Sequence, residues 1–269
     1  MKKTIIAMMA LAGVASAASV GYSSMDTTLQ EGVVIGLDWD GSASKGSLSG
    51  GTVNNGVLDI SGSNAPWTNT STGTSWTLSF DIMNVKANAW QSIFCLASTV
   101  DKHNGSDERK LQVQSDGSGN LYLYNTNGDT GKYFDGTAND SQSKPSATSM
   151  SLGITKANTE QKAYTLTFVS DATAKTLTGY VDGEQVGQWE NWNPDGGIGG
   201  LQLAQRFGGG RNDIEGFSID NFTVWNRALD VNTVSSLIVS SPSENVPEPT
   251  TATLSLLALA GLAARRRRK

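Results

Sequence analysis

The stretch Phe217-Ser218-Ile219-Asp220-Asn221-Phe222-Thr223-Val224-Trp225-Asn226-Arg227-Ala228-Leu229 alternates apolar and polar residues, with one slip. Phe217 and Ile219 fall on one face of an extended chain, Phe222 and Val224 on the other. A bulge near Asp220 reconciles the two halves and aims its carboxylate inward. The same period of two runs through Trp76, Leu78, Phe80 and Ile82, with Thr77, Ser79 and Asp81 facing the other way. Residues 111–114 and 121–124 make a hairpin around Asp116-Gly117-Ser118-Gly119-Asn120, and Tyr164 to Val169 with Thr176 to Val181 make another. Asp182-Gly183 supplies the positive-φ pair of a tight turn before Glu184 to Trp189. So many short antiparallel strands need two facing sheets to hide their apolar sides. One short helix is predicted near the end, capped by Asp230, with Val234, Leu237 and Ile238 on one stripe.

The chain of 269 residues suits one large all-β domain. One Cys excludes an intrachain disulfide, and one His excludes multi-His zinc sites. Residues 18–249 hold 13 basic and all 25 acidic residues, a net charge of −12. Such a body does not bind nucleic acid through its bulk charge.

Several segments, in order, resemble the laminin-G-like, concanavalin A-like jelly-roll superfamily. Gly36-Leu37-Asp38-Trp39-Asp40-Gly41 looks like its opening strand, 76–81 like a core strand, and Gly179-Tyr180-Val181-Asp182-Gly183 like its strand-and-turn pair. Residues 217–229 are similar to its closing strand and the step into a short helix. The resemblance implies an antiparallel two-sheet jelly-roll sandwich over about 33–239. It leaves function open, because the superfamily includes lectins, hydrolases, lyases and adhesion modules.

The two ends carry their own signals. Lys2 and Lys3 precede an apolar run from Ile5 to Val14 and the small residues Ala15-Ser16-Ala17, the pattern of a secretory signal peptide over 1–17. The domain follows over 18–239, then a linker over 240–249. Pro247-Glu248-Pro249, an apolar segment from 250 to 264, and Arg265-Arg266-Arg267-Arg268-Lys269 resemble the PEP-CTERM sorting signal of Gram-negative bacteria. The resemblance implies an exosortase-type transpeptidase as partner, beside signal peptidase, and a destination at the cell surface or extracellular matrix. As a helix, 250–264 would reach about 22 Å against a bilayer core of about 30 Å, a marginal transmembrane span.

No Glu-x-Asp-x-x-Glu strand of the retaining-glycosidase kind occurs. Asp213, Glu215 and Asp220 lack the spacing of a carboxylate pair, and Glu184 and Glu190 flank a hairpin. His103 lies in a charge-dense loop, and Cys95 reads as a buried, inert thiol. Calcium is the expected metal, with Asp220, Asp40 and Asp38 as oxygen ligands where the first and last strands meet. For recognition, Trp189-Glu190-Asn191-Trp192-Asn193-Pro194-Asp195-Gly196-Gly197 mixes Trp with hydrogen-bonding residues, as lectins do. Trp192 is the expected sugar platform, with Trp189, Trp67, Asn191 and Asn193 beside it. The polar span from Asn125 to Met150, with Tyr133 and Phe134 inside it, is an expected binding rim. The sequence therefore predicts an exported, surface-sorted, non-enzymatic module that binds glycan or another surface component. A concanavalin A-like hydrolase or lyase and a purely structural surface protein are the alternatives.

Overall fold

The computed structural model describes residues 18–40, 44–60, 66–85, 90–99, 110–126, 134, 148–156, 163–194, 196–204 and 216–239, all within the compact unit Ser16–Val239. The signal peptide, the linker, the basic tail, His103, Tyr133, Asp195, Asp213 and Glu215 lie outside the described residues.

In chain order the strands are β1 (Ala18–Ser19), β2 (Val33–Leu37), β3 (Thr52–Asn54), β4 (Val57–Ile60), β5 (Trp67–Asn69), β6 (Trp76–Met83), β7 (Ser92–Ser98) and β8 (Lys110–Ser115). Then come β9 (Leu121–Thr126), β10 (Ser149–Ser151), β11 (Tyr164–Asp171), β12 (Thr176–Val181), β13 (Glu184–Glu190), β14 (Ile198–Leu203), β15 (Phe217–Trp225) and β16 (Ile238–Val239). The helices are α1 (Thr27–Gln30) and α2 (Val231–Ser236).

These strands build the two-sheet sandwich that the alternation predicts and the jelly-roll resemblance implies. One sheet has six strands in the order β10-β9-β8-β7-β14-β5. The other has eight, ordered β13-β12-β11-β6-β15-β4-β3, with β2 also paired to β15. Between them lies the main core, including Leu78, Phe80, Phe94, Leu96, Val113, Leu123, Phe168 and Phe222. The slip in β15 is a bulge: the register against β6 shifts between Asp220 and Thr223, and Asn221 takes φ 50°. Phe217, Ile219, Phe222 and Val224 consequently all enter this core. Asp182 (φ 52°) and Gly183 (φ 80°) turn β12 into β13 as expected.

A third layer covers the outer face of the eight-stranded sheet. Strand β1 pairs with β16, and a second core joins Met25, Val33, Val169, Tyr180, Trp225, Leu229, Val234 and Leu237. Trp225 Nε1 donates to the Leu29 carbonyl at 2.7 Å, tying the closing strand to the N-terminal segment. The approach is close: a Cβ on Gly36 would lie 2.5 Å from the Tyr22 ring. Asp230 caps α2 by accepting the N–H groups of Asn232 and Thr233, but Ile238 leaves the expected helical stripe and joins β16.

Candidate functional site

Trp192 is not a sugar platform. Asn191, in the left-handed region at φ 58°, folds the chain back after β13, and Trp192 is 2% exposed. Its ring stacks on Phe134 at 6.1 Å and meets Trp189 at 5.9 Å, while Nε1 donates to Ser170 Oγ at 2.9 Å. Trp189 is 7% exposed and likewise belongs to the core. Phe134, expected on a rim, is buried in the same aromatic group, edge-on to Trp76. Asn191 and Asn193 are exposed but have lost the ring they were to accompany. Of the aromatic candidates among the described residues, only Trp67 stands open, at 49% exposure on β5.

The calcium expectation fares no better geometrically. Asp38 and Asp40 lie just after β2 rather than within it. Asp38 Oδ2 accepts both the N–H and the hydroxyl of Ser23, and Asp220 Oδ1 accepts the Asn221 N–H at 2.8 Å. Among the described residues no three His, Cys, Asp or Glu side chains converge on a common point. Asp38 and Asp220 are instead engaged by Ser23 and Asn221.

They do share a field with a carboxylate that local pattern does not single out, Asp81, directly opposite Asp220 on β6. Asp81 is 3% exposed. It accepts from Thr165 Oγ1 at 2.5 Å, from Asn221 Nδ2 at 2.8 Å, and from the Ser19 N–H through both oxygens. Burial raises its pKa against those hydrogen bonds. Burial, with the charges of Asp81, Asp38 and Asp40, raises Asp220 to about 6. A carboxyl raised in the folded state favours folding below its unfolded value near 3.8 and loses that contribution as pH climbs through about 6. In the chain still carrying residues 1–17, Asp220→Asn is thus expected to raise stability at pH 7.5 by about 1 kcal/mol, after discount for solvent screening. The gain should vanish by about pH 4, as paired thermal melts at the two pH values would show.

A different surface assembles from register alone. Cross-strand pairing aligns Ser149, Tyr124, Gln112, Cys95, Gln202 and Trp67 in one row across all six strands of the smaller sheet. A second row aligns Ser151, Tyr122, Gln114 and Ser92. Both lie on the outer face, because the alternate residues Val113, Leu123 and Leu201 fill the core. Neither row contains a carboxylate or a basic residue. Tyr122 and Tyr124 pack at 5.8 Å, and burial holds the Tyr124 phenol above its usual pKa, so it keeps its hydroxyl proton. Gln112, 4% exposed, donates to Gln114 Oε1 at 2.9 Å, yet its own buried Oε1 has no partner. The buried Oγ of Ser92 has none either. Such groups are costly unless a donor or acceptor reaches them. The hairpins are legible in the sequence, but the rows depend on the order of strands across the sheet.

The fold defines a class: an antiparallel two-sheet jelly-roll sandwich. It resembles NanB sialidase from Streptococcus pneumoniae at TM-score 0.50 and 20% identity, over 73% of this chain and 28% of the sialidase chain. A variant of HCR/D matches at TM-score 0.50 and 10% identity, covering 78% of this chain and 51% of the other. The CBM40 of Ruminococcus gnavus IT-sialidase, bound to α2,6 sialyllactose, matches at 0.44 and 15%, over 67% and 97% of the two chains. The chain thus spans less than two thirds of either of the first two proteins. In all, 312 chains of solved structures match, so the fold does not select an activity. No curated protein matches in sequence.

The chain carries one specific signature. Residues 245–269 match the PEP-CTERM protein-sorting motif, which marks bacterial proteins for export and sorting to the cell surface. Among the described residues no helix is long and apolar enough to cross a membrane, and 250–264 lie outside them.

Proposed function

We propose that this protein is a non-enzymatic glycan-binding module, exported and sorted to the outer surface of a Gram-negative cell. In this reading signal peptidase removes 1–17 and an exosortase-type enzyme processes the C-terminal tail. The uncharged row in which Trp67, Gln202 and Tyr124 keep access to solvent carries the binding reading. Neutral sugars present apolar ring faces and many hydroxyls. Tyr and Trp rings pack against the faces, while amide and phenol groups exchange hydrogen bonds with the hydroxyls.

A glycan array probed with the exported protein tests this, followed by titration of variants with the best ligand. Trp67→Ala and Tyr124→Ala should each weaken binding by about 1–3 kcal/mol. Trp67→Ala should leave stability within about 0.5 kcal/mol, since its ring is half exposed. Binding that survives both substitutions would exclude this face, and a blank array would favour the structural alternative.

A further inference from the structure

The inference concerns the new chain end and rests on the signal-peptide part of the reading above. Three observations meet at β1. First, its backbone is seated on Asp81: the Ser19 N–H donates to the two carboxylate oxygens at 3.1 and 3.0 Å. Asn221 Nδ2 bridges the pair, donating to the Ser19 carbonyl at 3.0 Å and to Asp81 Oδ2 at 2.8 Å. On its other side β1 is held by β16, with Ala18 opposite Val239 and the Val20 N–H donating to the Leu237 carbonyl at 2.6 Å. Second, Asp81 is a buried carboxyl whose hydrogen-bond donors from Ser19, Thr165 and Asn221 are all neutral, and among the described residues no cation lies against it or against Asp220 across the bulge. Third, Ala15-Ser16-Ala17 sets the cleavage point at the bond into Ala18, the first residue of the seated strand.

We propose that signal-peptide cleavage completes the fold: the freed Ala18 ammonium becomes the counter-charge of the Asp81 and Asp220 carboxylates beneath β1. Water adds to the Ala17 carbonyl carbon, the Ala17–Ala18 C–N bond breaks, Ala17 leaves as a carboxylate, and the Ala18 amine takes up a proton. Before cleavage a neutral amide occupies this place. Afterwards a positive charge sits one residue, about 3.8 Å of chain, from the Ser19 N–H that Asp81 grips. An opposite charge within a few ångströms offsets the burial of a carboxylate, and removing one partner of such a pair leaves the other uncompensated. Asp81 from β6, Asp220 from β15 and Asp38 from the end of β2 bring negative charge to this place, while Thr165 of β11 contributes only a hydroxyl. Processing thereby stabilises the released body and leaves the precursor looser.

Intact mass of the exported protein comes first, and a start at Ala18 is expected. A start at Met1, or beyond Ser19, would refute the cleavage and with it this proposal, while leaving the sugar-binding face untouched. Thermal melts of four full chains follow: free-ended or carrying residues 13–17 ahead of Ala18, each with Asp81 or Asp81→Asn. The free-ended protein should melt about 2–4 °C above the extended one, and Asp81→Asn should abolish that difference. An equal loss on Asp81→Asn in both backgrounds would make Asp81 a merely structural hydrogen-bonding residue and overturn the proposal. If Asp81→Asn does not fold, selective acetylation of the α-amine of the unsubstituted protein gives the same comparison. A lowered melting temperature supports the charge pair, and an unchanged one removes it.

Discussion

Trp192→Ala is expected to destabilise the protein by about 3–5 kcal/mol. In a domain of this size that corresponds to a fall in melting temperature on the order of 10 °C. The ring is nearly inaccessible and stacked on Phe134, and its indole N–H is satisfied inside the protein by Ser170. Truncation leaves a cavity among Phe134, Trp189 and Trp76, large aromatic neighbours that cannot easily collapse into it. Trp192→Phe should lose much less, because it keeps a ring in the stack and Ser170 Oγ still donates to the Thr74 carbonyl at 2.8 Å. Sugar titrations of either variant, under conditions where it stays folded, should match the unsubstituted protein. A stable Trp192→Ala variant with impaired binding would restore this ring as a recognition site.

Trp225→Ala is expected to cost a similar 3–5 kcal/mol, through a different layer. Trp225 is fully buried on the outer face of the larger sheet, beneath the N-terminal segment. It contributes apolar area and one hydrogen bond to the Leu29 carbonyl, which would be left without that donor. The loss should be visible locally as well as in the melt. Limited proteolysis should cut the variant within residues 18–32 before it attacks the sandwich strands, because this layer holds that segment in place. Uniform digestion of the whole domain would instead show that the segment and the sandwich unfold as one unit.

The two variants mark where local pattern stopped being informative. Around Trp192 the sequence is rich in Asn and Gly, which ordinarily accompanies a loop in solvent. Nothing local reveals that a left-handed Asn191 turns the chain inward, or that Phe134, 58 positions away, supplies the opposing face. Trp67 reads the other way: its strand is short and its partners Ser49 and Gln202 are distant in sequence, so its exposure is a property of the sheet edge.

Period-two alternation, turn residues and the slip at Asp220 determined the strands, the two-sheet class and the bulge, because each depends on side-chain direction within a few residues. The C-terminal sorting motif was legible for the same reason, as a contiguous pattern of Pro-Glu-Pro, apolar run and basic cluster. The polar faces required tertiary structure. Alternation assigns Thr77, Ser79 and Asp81 on one sheet, and Gln112, Gln114, Tyr122 and Tyr124 on the other, to the side away from the core, but it cannot say what covers that side. Strand β1, paired with β16 and seated on Asp81 through the Ser19 N–H, helps bury that carboxyl on the first sheet. Strand order across six strands gathers the second set into a continuous uncharged row. Both outcomes depend on contacts between residues far apart in the chain, made only when the sheets close.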